Sequence, residues 1–317
     1  MKRMGLVYSA RKRLRRIRFL SAMSLNKQSR KVALCFSAGL ILVFLGLYLD
    51  GRDRIFTLNA VTETASLVTS DGAFSEWRVG GAVLYTDPFT TEDAAISLSE
   101  NAYLLIRRGT RVDIQRHGIQ DVRLTLRTTE GAVGSIVSPD NDDRLLGNWA
   151  SLTVSSDDRP LVWPFRGTIV VGDDVSSGVD SVLLQGTVNV LEEQLFRDTR
   201  YNAGTSELDR GDKVGFWAQP EEHDEAVVEG FLRIEPSNQE RFTEALNAIQ
   251  LVAHGSADHV KVERLGSSGY QIRATSWARF LYDPLLSFLA GIGALLFAAI
   301  EIYTNVREIL RDVSTRD

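Results

Sequence analysis

Four histidines and several groups of acidic residues are the side chains in this sequence best suited to chemistry. His254 and His259 lie close together with Asp258 between them, the stretch 221–225 reads Glu-Glu-His-Asp-Glu around His223, and His117 stands apart. A zinc site needs three or four ligands, usually with thiolates or histidines at helical spacing. Neither pattern occurs. We therefore expect solvated loop histidines, no bound metal and no cofactor.

Other reactive patterns are also missing. The chain has no serine elbow of the Gly-x-Ser-x-Gly type, no phosphate-binding loop and no glycine-rich dinucleotide motif. Two groups of aspartates do not match a calcium loop; they are Asp140, Asp142 and Asp143, and Asp173, Asp174 and Asp180. We predict no catalytic residue. A carboxylate pair for glycoside hydrolysis stays open, because the sequence contains many acidic residues and shows no distances.

The charges divide the chain into blocks. The protein has 317 residues and a net charge of −5, yet residues 1–31 carry eleven Lys or Arg and no acidic residue. Residues 50–283 are strongly acidic, which argues against binding to nucleic acid. Two uncharged apolar runs separate the basic head, the acidic body and the tail.

Both apolar runs have the length of membrane spans. The run 32–49 has eighteen uncharged residues and would span about 27 Å as a helix. It lacks an adjacent small-residue cleavage site, so we interpret it as an uncleaved signal anchor rather than a cleaved signal peptide or a core helix. The run that starts at Pro284 lies between Asp283 and Glu301, and we predict a second span at 284–303.

Basic flanks set the predicted topology. The head 1–31 and the arginines of the tail 304–317 stay in the cytoplasm, so the body faces the other side. Met23 is an alternative start that would leave this topology unchanged. The one cysteine, Cys35, lies inside the first span, and the body has no Asn-x-Ser/Thr sequence. We therefore expect a bacterial inner-membrane protein with a periplasmic body.

The two predicted spans carry small residues at helical spacing, which favours close helix packing in lipid. The predicted packing residues are Ala33 and Ser37 in the first span and Ser287, Ala290, Gly291, Ala294 and Ala298 in the second. An acidic side chain at the edge of the hydrocarbon region favours a partner. We predict either a cytoplasmic-edge ion pair of Glu301 with Lys31 or Arg30, or an unpaired Glu301 that reaches the interface.

The body 50–235 reads as a mainly β domain, either a sandwich or a partly open barrel, of about ten strands. Its apolar runs alternate and are separated by Gly, Asp, Asn, Ser and Pro. Residues 236–279 read as a membrane-proximal helix plus a β-hairpin, a small α+β unit. The helix begins with a Ser237-x-x-Glu240 capping box, continues through Ile249 and Val252, and ends at Gly255.

Part of the body resembles FecR-like periplasmic signalling domains. The segment EDAAISLSENAYLLIRRGTRVDIQ looks like their strand-turn-strand pattern, and QGTVNVLEEQ with SELDRGDKVGF is similar to a later strand and its Gly-Asp turn. The resemblance covers about fifty residues. It implies a β-rich sensory or regulatory domain without catalysis, although that family usually has one span and this chain has two.

These patterns favour a two-pass bacterial inner-membrane protein whose periplasmic domain binds a protein partner and is anchored or coupled through the helix pair, without catalysis. One alternative is an accessory subunit of an envelope transport or polysaccharide-export complex. Another is a periplasmic enzyme acting on glycan or lipid. Besides the membrane, the expected partners are a protein in the envelope and, as a further option, a second copy of the chain.

Overall fold

The computed structural model divides the chain into two compact units, residues 1–51 with 283–317 and residues 52–282. The second unit is called the body below. The structure describes residues 39, 54–70, 74–89, 95–116, 121–139, 141–156, 160–173, 182–193, 199–218, 225–236, 248–264, 269–273, 282 and 284–314.

The body is mainly β, as predicted. Its described residues form nineteen strands: β1 Arg54–Thr62, β2 Thr64–Thr69, β3 Glu76–Arg78, β4 Val83–Tyr85, β5 Ile96–Ser97, β6 Tyr103–Ile106, β7 Arg111–Gln115, β8 Val122–Arg127, β9 Gly134–Ser138, β10 Asn141–Leu145, β11 Trp149–Val154, β12 Leu161–Val171, β13 Leu183–Glu193, β14 Arg200–Leu208, β15 Lys213–Trp217, β16 Val228–Ile234, β17 Ile249–Ala257, β18 His259–Glu263 and β19 Tyr270–Ile272.

These strands form one large sheet and one small sheet. Twelve strands of the large sheet follow in the order β14-β13-β1-β17-β16-β12-β2-β7-β8-β11-β4-β5, and β15, β18 and β19 continue from β12. The small sheet has the order β10-β9-β6-β3. Neighbouring described strands are antiparallel. In β1, for example, Phe56 lies opposite Val190 of β13 on one side and Gly255 of β17 on the other.

Alternation of apolar and polar residues explains the strands. In β12, Trp163, Phe165, Ile169 and Val171 are buried, while the residues that alternate with them, such as Val162 and Arg166, are more exposed. Successive side chains of a strand point to opposite faces, so this pattern places one face of β12 in the core. Buried residues of both sheets belong to one hydrophobic cluster.

Two stacked tryptophans join the sheets. Trp77 of β3 and Trp163 of β12 have ring centroids 5.1 Å apart and planes 9° apart. Trp77 Nε1 donates to the carbonyl oxygen of Pro164 at 2.7 Å, and Trp163 Nε1 donates to that of Arg78 at 3.0 Å. Each ring therefore bonds to the backbone next to the other ring, which satisfies both buried N–H groups.

The sequence pattern predicts about ten strands for residues 50–235, but the described residues there form sixteen. One reason is that a continuous apolar run can contain two strands. The segment AISLSENAYLLIRRG contains β5 and β6, which belong to different sheets. Between them the amide of Ala102 donates to the carbonyl of Ser99 at 3.1 Å, which marks a tight turn. A turn of this kind is hard to see in a sequence whose apolar residues continue on both sides.

The predicted course of the helix after Pro236 is wrong at its C-terminal end. Ile249, Val252 and Gly255 lie in β17, not in a helix. Ile249, Leu251 and Ala253 are buried at every second position, so the strand period prevails over the helical spacing. Residues 237–247 lie outside the described residues.

The boundary predicted at residue 235 does not divide the fold. Strand β17 lies between β1 and β16, and β18 pairs with β15, so strands after residue 235 complete the same sheet. The predicted hairpin is confirmed: β18 and β19 pair with Val260 opposite Ile272. Gly269 at its turn has φ of 71°, a conformation that favours glycine.

In the other unit, the structure describes a helix, α1, from Pro284 to Ser314. This helix covers the predicted second span, 284–303, and extends into the tail. Within the part of the chain that the structure describes, no helix meets the combined length and apolarity that a membrane crossing requires.

Gly167→Ala is expected to destabilise the body by about 2 kcal/mol. Gly167 pairs with Thr69 on one side and Val228 on the other, and a Cβ there would lie 2.0 Å from the carbonyl oxygen of Val68. Urea unfolding followed by circular dichroism measures the effect. Gly204→Ala is the control, since a Cβ at Gly204 meets nothing within 4 Å. Equal stability losses in the two variants would contradict the prediction.

Candidate functional site: a clasp between the two ends of the body

Five polar side chains meet near the first strand and the last described strand of the body. Arg54 opens β1, just after the first apolar run, and Arg273 follows β19, before the second. Glu192, Asp258 and His259 lie between them, at the ends of β13, β17 and β18. We call these five residues the terminal clasp.

Asp258 is the hub of the clasp. Its Oδ1 lies 3.5 Å from Arg54 Nη1, and its Oδ2 lies 3.2 Å from Arg273 Nη2. Arg54 Nη1 also donates to the backbone carbonyl of Asp258 at 3.3 Å. One carboxylate thus links the first residue of β1 to the residue that follows the last strand.

Glu192 holds Arg54 from the other side. Its Oε1 lies 3.6 Å from Arg54 Nε, and its Oε2 accepts a hydrogen bond from the Tyr201 hydroxyl at 3.4 Å. The side chain of Glu192 is only 7% exposed. A buried carboxylate is stable only when it is paired, so Glu192 and Arg54 support each other.

His259 lies beneath the hub. Its side chain is 6% exposed, and its Nδ1 is 3.1 Å from Asp258 Oδ2 and 3.4 Å from Arg273 Nη2. The antiparallel pairing of β15 with β18 places Trp217 opposite His259. With a neutral imidazole, the clasp holds two carboxylates against two guanidinium groups.

The ion pairs of the clasp that involve Asp258 are partly exposed to water. Arg273 is 37% exposed and Asp258 28%, so water screens their attraction. Ion pairs of this exposure contribute about 1 kcal/mol or less each, and more only when they form a network. Taken singly, these ion pairs are therefore weak, and any larger contribution comes from their arrangement around one carboxylate.

A second polar group fixes the hairpin next to the clasp. Arg264 Nε and Nη2 donate to the two carboxylate oxygens of the fully buried Asp212 at 2.8 and 2.7 Å. Hydrogen bonding to Asp212 raises the pKa of Arg264 above its ordinary value. This bidentate pair ties the turn before β15 to the end of β18.

Three charged side chains form neighbouring ion pairs on the paired strands β15 and β18. Glu263 lies 2.7 Å from Lys261 Nζ and 3.3 Å from Lys213 Nζ. These contacts, the hydrogen bond from Lys261 above all, hold the pKa of Glu263 below its usual range. Lys261 Nζ also lies 5.6 Å from the centre of the Trp217 ring.

A buried arginine joins strand ends elsewhere in the body. Arg116, 1% exposed, donates from Nη2 to Ser156 Oγ at 3.2 Å and to the carbonyl of Glu235 at 3.0 Å. Burial lowers the pKa of Arg116, and the charges of Glu235 and Asp121 oppose that shift. Its contacts are structural links between β7, β11 and β16.

The histidines are not arranged as predicted. His254 is exposed but lies in β17, and His259 is buried at the start of β18, so neither is a solvated loop residue. Among the described residues, no three His, Cys, Asp or Glu side chains are grouped to hold a metal ion. His117, His223, Asp140, Asp174 and Asp180 lie outside the described residues, while Asp143 is exposed and Asp173 half-buried.

Of the predicted helix-packing residues, those of the second span are described by the structure and those of the first are not. Ser287, Gly291, Ala294 and Ala298 are exposed on α1, Ala290 is half-buried, and Glu301 is exposed. Gly293, which is not among the predicted packing residues, is buried. Ala33, Ser37 and Lys31 lie outside the described residues, so the packing of the spans and the Lys31–Glu301 pair stay predictions.

The sequence pattern missed the terminal clasp. Its members come from four separate segments, and Arg54 and Asp258 are 204 positions apart. The one available signal was position: Arg54 lies five residues after the first apolar run, and Arg273 lies eleven residues before the second. The resemblance to FecR-like domains also stays a prediction. No family model matches the chain, and no curated protein and no solved structure is found to be similar to it.

Proposed function

We propose that this chain is a two-pass bacterial inner-membrane protein whose β-rich periplasmic body binds a protein partner, without catalysis, and passes that load to its membrane helices. The observation that carries the proposal is the terminal clasp. Asp258 contacts both Arg54, two residues after the start of the body at Arg52, and Arg273, nine residues before its end at Tyr282.

The surface of α1 supports the membrane part of the proposal. Residues 284–300 contain no charged side chain, and Phe288, Leu295 and Ile302 are each more than 60% exposed. Exposed apolar side chains in this number are unfavourable in water and favourable in lipid. Arg307 and Arg311 follow the apolar part, as expected for a cytoplasmic end.

Cysteine labelling tests the topology. The native Cys35 is replaced by serine, and a single cysteine is introduced at the exposed His254 of the body or at Ser314 of the tail. A membrane-impermeant maleimide added to spheroplasts should label the body cysteine at once and the tail cysteine only after lysis. Labelling of both cysteines before lysis, or of neither, would contradict the topology.

Loss of the hub tests the coupling. Asp258→Asn removes the charge that joins Arg54 and Arg273, and Asp113→Asn is a matched control in a separate ion pair with Arg111 at 3.0 Å. Proteins that co-purify with the full-length wild type and the control, but not with Asp258→Asn or with a chain ending at 283, would support coupling through the clasp. Equal recovery with all four chains would contradict it.

A further inference from the structure

One face of the large sheet is positively charged, although the body as a whole is acidic. Strands β2, β7, β8, β11 and β4 are consecutive neighbours in this sheet. Together they contain three arginines and one aspartate, and no other charged residue. Arg111 of β7 and Arg123 and Arg127 of β8 are exposed, and we call these three side chains the arginine face.

Strand alternation places these arginines on one side of the sheet. In β8, Leu124 and Leu126 are buried. The exposed Arg123 and Arg127 alternate with them, and Arg127 lies opposite Arg111 of β7. Side chains at directly opposite positions point the same way, with Cβ atoms about 5 Å apart. The guanidinium groups of Arg111 and Arg127 are therefore neighbours on the outer face.

This arrangement of charges is repulsive. Like charges at directly opposite positions destabilise a sheet. Asp113 balances Arg111, because its Oδ1 accepts hydrogen bonds from Arg111 Nε at 3.0 Å and from Ser66 Oγ at 2.8 Å. Within the part of the chain that the structure describes, Arg123 and Arg127 form neither an ion pair nor a side-chain hydrogen bond. The positive charge of these two arginines is therefore available to carboxylates of another molecule.

The spacing of the arginines suits an extended acidic segment. Arg123 and Arg127 are four positions apart on one strand, which separates their Cα atoms by about 13 Å. An extended chain with an acidic residue at every second position presents a carboxylate about every 7 Å, so one row of carboxylates can reach both arginines. The guanidinium group binds a carboxylate through two parallel hydrogen bonds.

Two observations favour a protein over a polyanion such as nucleic acid or an anionic polysaccharide. The half-buried Trp149 of β11 lies opposite Arg127, and aromatic and arginine side chains are enriched in protein interfaces. The acidic residues of the rest of the body repel a polyanion at long range, whereas a short acidic segment meets only the local field of the arginine face.

We propose that the arginine face binds an extended acidic segment of a protein partner, whose carboxylates pair with Arg123 and Arg127. That segment belongs to the protein partner of the proposed function, on which the physiological role rests. The binding surface itself is part of the body, so its affinity for an acidic peptide does not depend on the side of the membrane that the body faces.

Fluorescence anisotropy tests this binding with the full-length protein in a non-ionic detergent. The probe is a labelled peptide of alternating Glu and Thr, and the same peptide with Gln in place of Glu is the reference. Wild type is expected to bind the Glu peptide at low salt and to lose it as salt rises, because exposed charges are screened. Arg123→Gln and Arg127→Gln should each weaken binding by about fivefold to tenfold.

Three measurements control for charge and for folding. Arg200→Gln removes an exposed arginine from β14, at the far edge of the same sheet, and should bind like wild type. Asp113→Asn removes the one carboxylate of the five strands and should bind the Glu peptide at least as tightly as wild type. The urea midpoint of Arg127→Gln should be no lower than that of wild type, because the substitution relieves repulsion with Arg111.

The outcomes separate this proposal from its alternatives. Equal affinity for the Glu and Gln peptides, or unchanged affinity in both Arg123→Gln and Arg127→Gln, would overturn it. So would weaker binding of the Glu peptide by Asp113→Asn. Tighter arginine-dependent binding of heparin than of the Glu peptide would assign the face to a polyanion and reject a protein segment. Failure of the labelling or co-purification experiments would instead overturn the proposed function and leave peptide binding intact.

Discussion

Trp163→Ala is expected to lower the free energy of unfolding of the body by about 4 kcal/mol. Trp163 is fully buried, and its ring stacks on Trp77 across the two sheets at 5.1 Å. The substitution removes this contact, leaves a cavity, and deprives the carbonyl of Arg78 of its hydrogen bond from Nε1. Urea unfolding of the full-length protein in detergent, followed by circular dichroism, measures the loss.

Two comparisons make this result specific. Trp163→Phe keeps the ring contact but loses the donor, so a smaller loss of about 2 kcal/mol is expected. Trp149→Ala removes a half-buried tryptophan from β11, and its effect should also be clearly smaller. A loss in Trp163→Ala no greater than that in Trp149→Ala would show that the Trp77–Trp163 stack does not hold the sheets together.

Asp212→Ala is the second substitution with a large expected effect, about 3 kcal/mol. The side chain of Asp212 is fully buried, and it accepts hydrogen bonds from the backbone amide of Asp209 at 2.9 Å and from Arg264 at two positions. The substitution removes the hydrogen bond that the Asp209 amide makes in the turn before β15. It also leaves the Arg264 guanidinium without the carboxylate that accepts two of its hydrogen bonds. The midpoint and slope of urea unfolding give the change.

Asp209→Ala is the matched control for Asp212→Ala. Asp209 Oδ2 also contacts Arg264, at 2.9 Å, but its side chain is 70% exposed. A surface ion pair of this kind contributes about 0.5 kcal/mol. If the two alanine variants were equally stable, burial of the Asp212–Arg264 pair would not be the source of its strength. Arg264→Ala combined with Asp212→Ala measures their coupling, which should be favourable.

Local patterns predicted several elements of this protein well. The mainly β character of the body follows from alternating runs such as the one that forms β12, in which Phe165, Ile169 and Val171 are buried. The helix α1 follows from the long uncharged apolar run after Asp283, and Pro284 is tolerated there because a residue in the first turn of a helix needs no N–H donor. These are properties of neighbouring residues, so the sequence expresses them directly.

Ambiguous local patterns were the source of the errors. Ile249 and Val252 fit the spacing of a helix face, and they also lie in a stretch in which Ile249, Leu251 and Ala253 alternate. Pairing with β1 and β16 on both sides satisfies the backbone of β17, which favours the strand. The prediction of a solvated His259 was wrong for a different reason. The burial of this side chain depends on the strands that pair with β18, and its neighbours in the chain do not reveal them.

The sequence by itself therefore determined the block structure of this protein: two apolar runs, a basic head, an acidic β-rich body and the helix that begins at Pro284. Only the tertiary structure decided where the ends of the body meet. Arg54, Glu192, Asp258 and Arg273 are remote in sequence, and antiparallel pairing of β1 with β13 and β17 brings the first three together. Charges interact through distances in space, which a linear pattern does not contain.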